Sequence, residues 1–232
     1  MTGYHGGKKR IGKEIADSIY NMVHCIEKDS GIKFKGYCEP FCGMLGVYQH
    51  IPELFEDHKP KMKFKAGDIN ESVIKMWKKA QGGWKPPIKC TKKYYMELRN
   101  KPTSSAEKGF IGSACAYRGI YFSSTFDNRR NVEHASDNVR RVSQTLKNVD
   151  FNHEMYSQFS HLKDYIIYCD PPYFSKSQFY DEKKNKLSFD YGAFYDWVEK
   201  LSENNLIFIS ERAKLPYTKI KTMRDGEKLF VV

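Results

Sequence analysis

Apolar residues recur at Ile11, Ile15, Ile19, Met22, Val23 and Ile26, a spacing that predicts a helix over residues 9–28, after a Gly-Gly turn. The period then changes. Residues 34–39 read as a short strand running into a turn, and residues 62–66 alternate as a second strand ending at Gly67-Asp68. Residues 46–54 between them read as a helix interrupted near Pro52. Residues 71–80 are helical in pattern, with Asn70 as the cap. Further helices are predicted over 137–147 and about 192–203, and strands over 149–151, 165–169 and 206–210. Residues 228–232 read as a last edge strand. The run Tyr165-Ile166-Ile167-Tyr168-Cys169 is apolar throughout, as expected of a strand covered on both faces. Residues 81–130 break the rhythm with Gly82-Gly83, Pro86-Pro87, Pro102 and a Ser/Gly-rich stretch bearing aromatics and basic residues. They read as an insertion rather than another strand–helix–strand unit. The alternation predicts an α/β fold with a doubly wound, mostly parallel sheet, whose ligands sit at the carboxyl ends of the strands.

A length of 232 residues allows one such domain with a modest insertion. Charge sharpens the picture: 39 basic residues against 28 acidic ones give +11, which suits a polyanion, nucleic acid before an anionic membrane. A merely basic surface is the plainer alternative. The 16 Tyr and 15 Phe favour nucleic acid, because bases stack where phosphates are neutralised. The first fifteen residues carry no apolar core of signal-peptide length, and no apolar run approaches the ~20 residues of a membrane helix. The expectation is an intracellular chain with no membrane partner. Its six cysteines (Cys25, Cys38, Cys42, Cys90, Cys115 and Cys169) form no CxxC pair and are expected as free thiols. Cys38 and Cys42 have no second Cys or His pair to complete a zinc site, so no metal is expected.

The candidate chemistry centres on Asp170-Pro171-Pro172-Tyr173, directly after the apolar run. The carboxylate can accept a hydrogen bond from an amine. The prolines fix φ and leave neighbouring carbonyls as acceptors, and the tyrosine offers a stacking face. That group of residues suits holding an exocyclic amine while something is transferred onto it, although Asp and Pro also make ordinary turns. Three other segments sit at predicted strand ends or turns. Glu39-Pro40-Phe41-Cys42-Gly43 brings a glycine turn that lets backbone approach a ligand. Asp68 follows the second strand, where an acid can take both hydroxyls of a ribose or simply cap a helix. Tyr4-His5-Gly6-Gly7-Lys8 brings a lysine able to pair with a carboxylate and an aromatic able to cover a ligand.

In this order the motifs resemble the Dam-like N6-adenine DNA methyltransferases, including short phage and large-virus members, over about residues 3–217. The resemblance implies a Rossmann-like class I methyltransferase fold. Residues 1–80 and 137–232 would form the catalytic, S-adenosylmethionine-binding domain, and 81–136 an inserted target-recognition segment. It implies that Tyr4, His5, Gly7 and Lys8 serve the methionine part of the cofactor, and Glu39, Pro40, Phe41, Cys42 and Gly43 the cofactor turn. Asp68 would bind the ribose, with Ile69, Phe151 and Asn152 at the adenine, and Asp170 beside the methionine amine. Asp170, Pro171, Pro172 and Tyr173 become the catalytic motif. Residues 110–119 would contribute to target recognition, with Tyr117 and Arg118 the candidates for base or backbone contact, while Arg129 and Arg130 would meet phosphates. Ile209-Ser210-Glu211 is similar to the strand end that follows the catalytic motif. One departure stands out: Leu45 replaces the second glycine of the cofactor turn, with Gly46 one residue later.

On this reading the target adenine of double-stranded DNA is flipped out, stacked on Tyr173 and activated by Asp170 and the Pro171 carbonyl. Residues 174–189 would act as a closing loop. A companion restriction endonuclease fits such an enzyme; target sequence and oligomeric state are not readable. The rivals are a cytosine-N4 or RNA adenine methyltransferase, since the same cup accepts either amine, and an inactive DNA-binding module.

Overall fold

The computed structural model describes residues 7–58, 60–122, 125–173, 179–180, 186–187 and 189–232. The chain order is α1 (Gly12–Ser30), β1 (Gly36–Glu39), α2 (Ile51–Leu54), β2 (Lys63–Asp68), α3 (Glu71–Gln81), α4 (Lys92–Asn100), α5 (Ala106–Ala114), α6 (Val132–Ser143), β3 (Val149–His153) and β4 (Tyr165–Cys169). A two-residue ladder of β5 (Phe179–Tyr180) and β6 (Lys186–Leu187) precedes α7 (Tyr191–Ser202), β7 (Leu206–Glu211), β8 (Thr218–Thr222) and β9 (Lys228–Val231).

Seven strands form one sheet in the order β3-β2-β1-β4-β7-β9-β8. The first five run parallel; β9 is antiparallel to β7, and β8 to β9. The chain winds from β1 outward through β2 to β3, then crosses back to lay β4 on the other side of β1. The reversal point therefore lies between β1 and β4, where a parallel sheet opens a crevice. Alternation along the strands builds two cores. Tyr37, Ile166 and Tyr168 face one side with α1, α3, α5 and α6, while Cys38, Ile167 and Cys169 face the other with α7. Every residue of β1 and of β4 is buried, which explains the unbroken apolar sequence of β4.

Helix boundaries follow their caps. Asn70, Thr91, Ser105, Asn131 and Asp190 each accept a backbone N–H from the first turn of α3, α4, α5, α6 and α7. Three expectations need correction. The helix placed at 137–147 starts at Val132, because Asn131 caps it ahead of its first apolar repeat. Pro52 lies in the first turn of α2, where its missing N–H costs nothing, rather than interrupting a helix. The last strand is not an edge: β8 pairs on its outer side. Within 81–130 the chain forms α4 and α5, and α5 lies close on α3. A Cβ on Gly109 would stand 2.1 Å from the Ser72 carbonyl oxygen, so only glycine permits this approach.

Among the described residues no helix is long and apolar enough to cross a membrane. All six cysteines are free.

Candidate active site

Lys8 lies just before α1, and its carbonyl accepts from the N–H groups of Ile11 and Gly12, which ties it to the helix start. Its side chain, 5% exposed, reaches the carboxyl end of β4. There Nζ donates to Asp170 Oδ1 at 2.5 Å and to the Tyr173 hydroxyl at 2.6 Å. Nζ also lies 4.8 Å from the centre of the Tyr173 ring. A third group completes the cluster: Glu227 Oε1 stands 3.3 Å from Lys8 Nζ, and Glu227 Oε2 accepts from the Tyr173 hydroxyl. Arg212, after β7, lies 5.9 Å from the same ring. The Pro172 carbonyl accepts from the Tyr191 hydroxyl at 2.8 Å, so α7 braces the proline pair.

The electrostatics follow from one ammonium between two carboxylates. Burial works against the charge on Lys8, but Asp170 and Glu227 more than offset it and hold its pKa above the usual lysine value. Burial, with Glu227 adding to it and Lys8 opposing, pushes Asp170 up to about 6. Burial and the same two carboxylates keep the Tyr173 phenol far above its ordinary range, so it remains a hydrogen-bond donor.

The glycine turn sits at the end of β1, beside Asp68 at the end of β2. Asp68 Oδ2 accepts from Gly43 N at 2.9 Å and Oδ1 from Asn70 N at 2.8 Å. The Trp77 indole donates to the Gly43 carbonyl. Phe41, Gly43 and Met44 are partly exposed, whereas Glu39, Pro40 and Cys42 are buried beneath the turn. Burial raises Glu39 to about 8, and it accepts from the Tyr37 hydroxyl at 2.7 Å. Leu45 adopts φ +54, the left-handed conformation a glycine would supply, at about 1–2 kcal/mol, while its side chain is fully buried. Gly46 lets the N-terminal segment pass, since a Cβ there would lie 2.9 Å from Lys8 N.

Beyond Asp68, Ile69 is an exposed apolar residue. Its carbonyl lies 3.0 Å from His153 Nε2, and Asn152 pairs in register with Gly67. Phe151 is buried in β3 behind them. A cavity of about 100 Å³ opens beside Lys8, Met44 and Gly46, with Lys9, Arg130 and Arg141 also lining it. Gln49 and Ser113 belong to its wall, and each has a buried side-chain oxygen without a hydrogen-bond partner.

Within the insertion, Tyr117 is exposed and Arg118 lies over its ring at 5.3 Å, in a turn where Arg118 has φ +54. Arg129 is exposed and paired with Asp127 at 3.0 Å. Arg130 donates to the Ser113 and Ala114 carbonyls, so part of its guanidinium holds the end of α5. Tyr4, His5 and most of the 174–189 loop lie outside the described residues.

The structure thus brings Lys8, Asp170 and Tyr173 into direct contact and joins Gly43 to Asp68. The sequence reading missed Glu227 and Arg212. Asp225-Gly226, between Met223 and Leu229, is a hairpin signal that would have placed Glu227 against β7. Among the described residues no group of three or more His, Cys, Asp or Glu is placed to hold a metal ion.

A family model described as D12 class N6 adenine-specific DNA methyltransferase matches residues 4–188, most of the chain. Similar solved structures include an rRNA methyltransferase, AviRa, from Streptomyces viridochromogenes, in two structures at TM-scores of 0.44 and 0.43. They are 10% and 9% identical and cover 95% of this chain and 84% of theirs. No curated protein matches the chain.

Proposed function

Since the chain belongs to the D12 class N6 adenine-specific DNA methyltransferase family, and is thus a DNA adenine-N6 methyltransferase, we propose that it uses S-adenosylmethionine and the cup formed by Asp170 to Tyr173. The observation that carries this reading is the contact of Lys8, Asp170 and Tyr173 at the carboxyl end of β4, beside the reversal point of the sheet.

The residues present fit the cofactor. Asp68 accepts from Gly43 N and Asn70 N at the carboxyl end of β2, which puts a fixed carboxylate where ribose hydroxyls can donate to it. Exposed Ile69 gives a flat base an apolar face, bordered by Asn152 and backed by Phe151. We assign the methionine end to the cavity beside Gly7, Lys8 and Met44. The unpartnered oxygens of Gln49 and Ser113 suit an ammonium there, and Lys9, Arg130 and Arg141 suit a carboxylate. The bound cofactor supplies an electrophilic methyl group.

The amine of an adenine is a weak nucleophile because its lone pair is delocalised into the ring. Asp170 and the Pro171 carbonyl accept its two N–H bonds and localise that pair. Tyr173 stacks on the extruded base, and Asp170 takes the surplus proton. Segment 81–136, with Tyr117 and Arg118, reads the target. The test is transfer of labelled methyl to duplex DNA followed by nucleoside analysis. N6-methyladenine is expected; N4-methylcytosine would keep the cup and overturn the substrate. We place the enzyme inside the cell, where DNA is.

Two further results are expected. Asp68→Ala should weaken S-adenosylmethionine binding by roughly 1–3 kcal/mol, the scale of lost hydrogen bonds to a charged group. It also frees Gly43 N, so calorimetry is to be read beside a stability measurement. DNA affinity should fall steeply with salt through counterion release. Arg129→Ala should weaken every sequence alike and flatten that slope by about one. A changed sequence preference would remove Arg129 from the phosphates.

A further inference from the structure

Glu227 lies outside the matched family region, yet it is buried in the catalytic cluster with 2% exposure. The β8–β9 hairpin holds it there: Met223 N donates to the Glu227 carbonyl at 2.6 Å, and Asp225 Oδ1 accepts from Glu227 N at 3.1 Å. Its Oε2 takes the Tyr173 hydroxyl, while Oε1 faces Lys8 without a hydrogen bond of its own. A buried carboxylate is costly to keep unless its charge is used.

We propose that Glu227 is a positioning residue for methyl transfer, which shares the Lys8 ammonium with Asp170 and thereby keeps Asp170 a strong acceptor for the target amine. The inference rests on the proposed use of the Asp170 cup. Alone with Asp170, Lys8 would neutralise the carboxylate and leave it a poor base. With a second carboxylate on the same ammonium, Asp170 keeps more of its basicity. In the transfer, N6 forms a bond to the methyl carbon, and the sulfur–carbon bond breaks with its pair going to sulfur. N6 then sheds one proton, which Asp170 accepts. Glu227 acts through Lys8 and Tyr173 and touches no reacting atom.

The charged and titratable groups around Asp170 and Glu227 are Lys8 before α1, Tyr168 and Tyr173 on and after β4, Glu211 and Arg212 at the end of β7, Glu39 at β1 and Asp225 on the hairpin of Glu227. The neighbouring carboxylate raises Asp170, so removing its charge lowers Asp170. The ionised form then persists to lower pH.

The decisive experiment is the pH dependence of kcat/KM for methyl transfer by the wild type and Glu227→Gln. The wild type should lose activity as pH falls through about 6. The variant should show an acid limb about one pH unit lower, a kcat about ten-fold down, and KM for S-adenosylmethionine changed less than two-fold. Glu227→Asp should restore most of the wild-type limb. An unmoved limb in folded Glu227→Gln would overturn the inference. A wild type that makes no N6-methyladenine would instead overturn the reading beneath it. If the Gln variant does not fold, or the wild type is inactive, carboxyl carbon NMR titration of the wild-type chain decides. Coupled titrations of Asp170 and Glu227 support the sharing. An Asp170 that titrates independently at an ordinary value rules it out.

Discussion

Asp170→Ala should retain measurable S-adenosylmethionine binding and lose methyl transfer by about 10³-fold, within the range set by removing an acid–base group. The variant keeps the fold of β4, a strand of five buried residues that lies between β1 and β7. It loses the only carboxylate of the Asp-Pro-Pro-Tyr motif. Lys8 then keeps Glu227 and the Tyr173 hydroxyl as partners, so the ammonium is not stranded. Single-turnover transfer of labelled methyl to duplex DNA, with nucleoside analysis, separates chemistry from binding. Robust N6-methyladenine from a well-folded Asp170→Ala would sink the proposed mechanism.

Lys8→Met should be the most damaging change to stability. It leaves Asp170 and Glu227 buried together with no cation between them, and breaking a buried pair in this way costs about 3–5 kcal/mol. For a chain of this size each of those should lower Tm by roughly 2–4 °C. The pH dependence has a definite sign. Asp170 is easier to bury neutral, so its folded pKa lies above the unfolded value of about 4. A raised acid contributes stability below its unfolded pKa and loses it as pH rises through the folded value. The deficit of Lys8→Met should therefore shrink toward pH 4 and grow toward pH 8. Chemical denaturation across that range checks it, and a pH-independent deficit would remove the charge argument.

Much of this was legible in the chain because buried parallel strands advertise themselves. β4 and the first four residues of β7 are apolar runs, and Asn70 and Asp68 stand where a strand hands over to a helix. The four residues Asp170 to Tyr173 stand out because their chemistry is dense and local. Other parts carried little signal. In β8, Thr218–Thr222, Ile220 is the lone apolar residue in an exposed run, so no period marks it as a strand. In α5, Gly109 and Gly112 suggest a loop, yet Gly109 packs close on α3 and Gly112 against the Tyr121 and Phe122 rings, where glycine is the residue that fits. Glu227 reaches Lys8 only through the hairpin fold, a contact no spacing in the sequence encodes.

The position of the Lys8 ammonium also bears on what the enzyme leaves alone. A polyamine or a free lysine arrives at neutral pH with its nitrogen protonated. It would be drawn to a cluster whose two carboxylates outnumber its one ammonium, yet it offers no lone pair to attack with. The adenine amine carries no charge and keeps its lone pair at that pH. Protonation, not repulsion by the site, thus keeps the abundant, far more basic amines of the cell from accepting a methyl group.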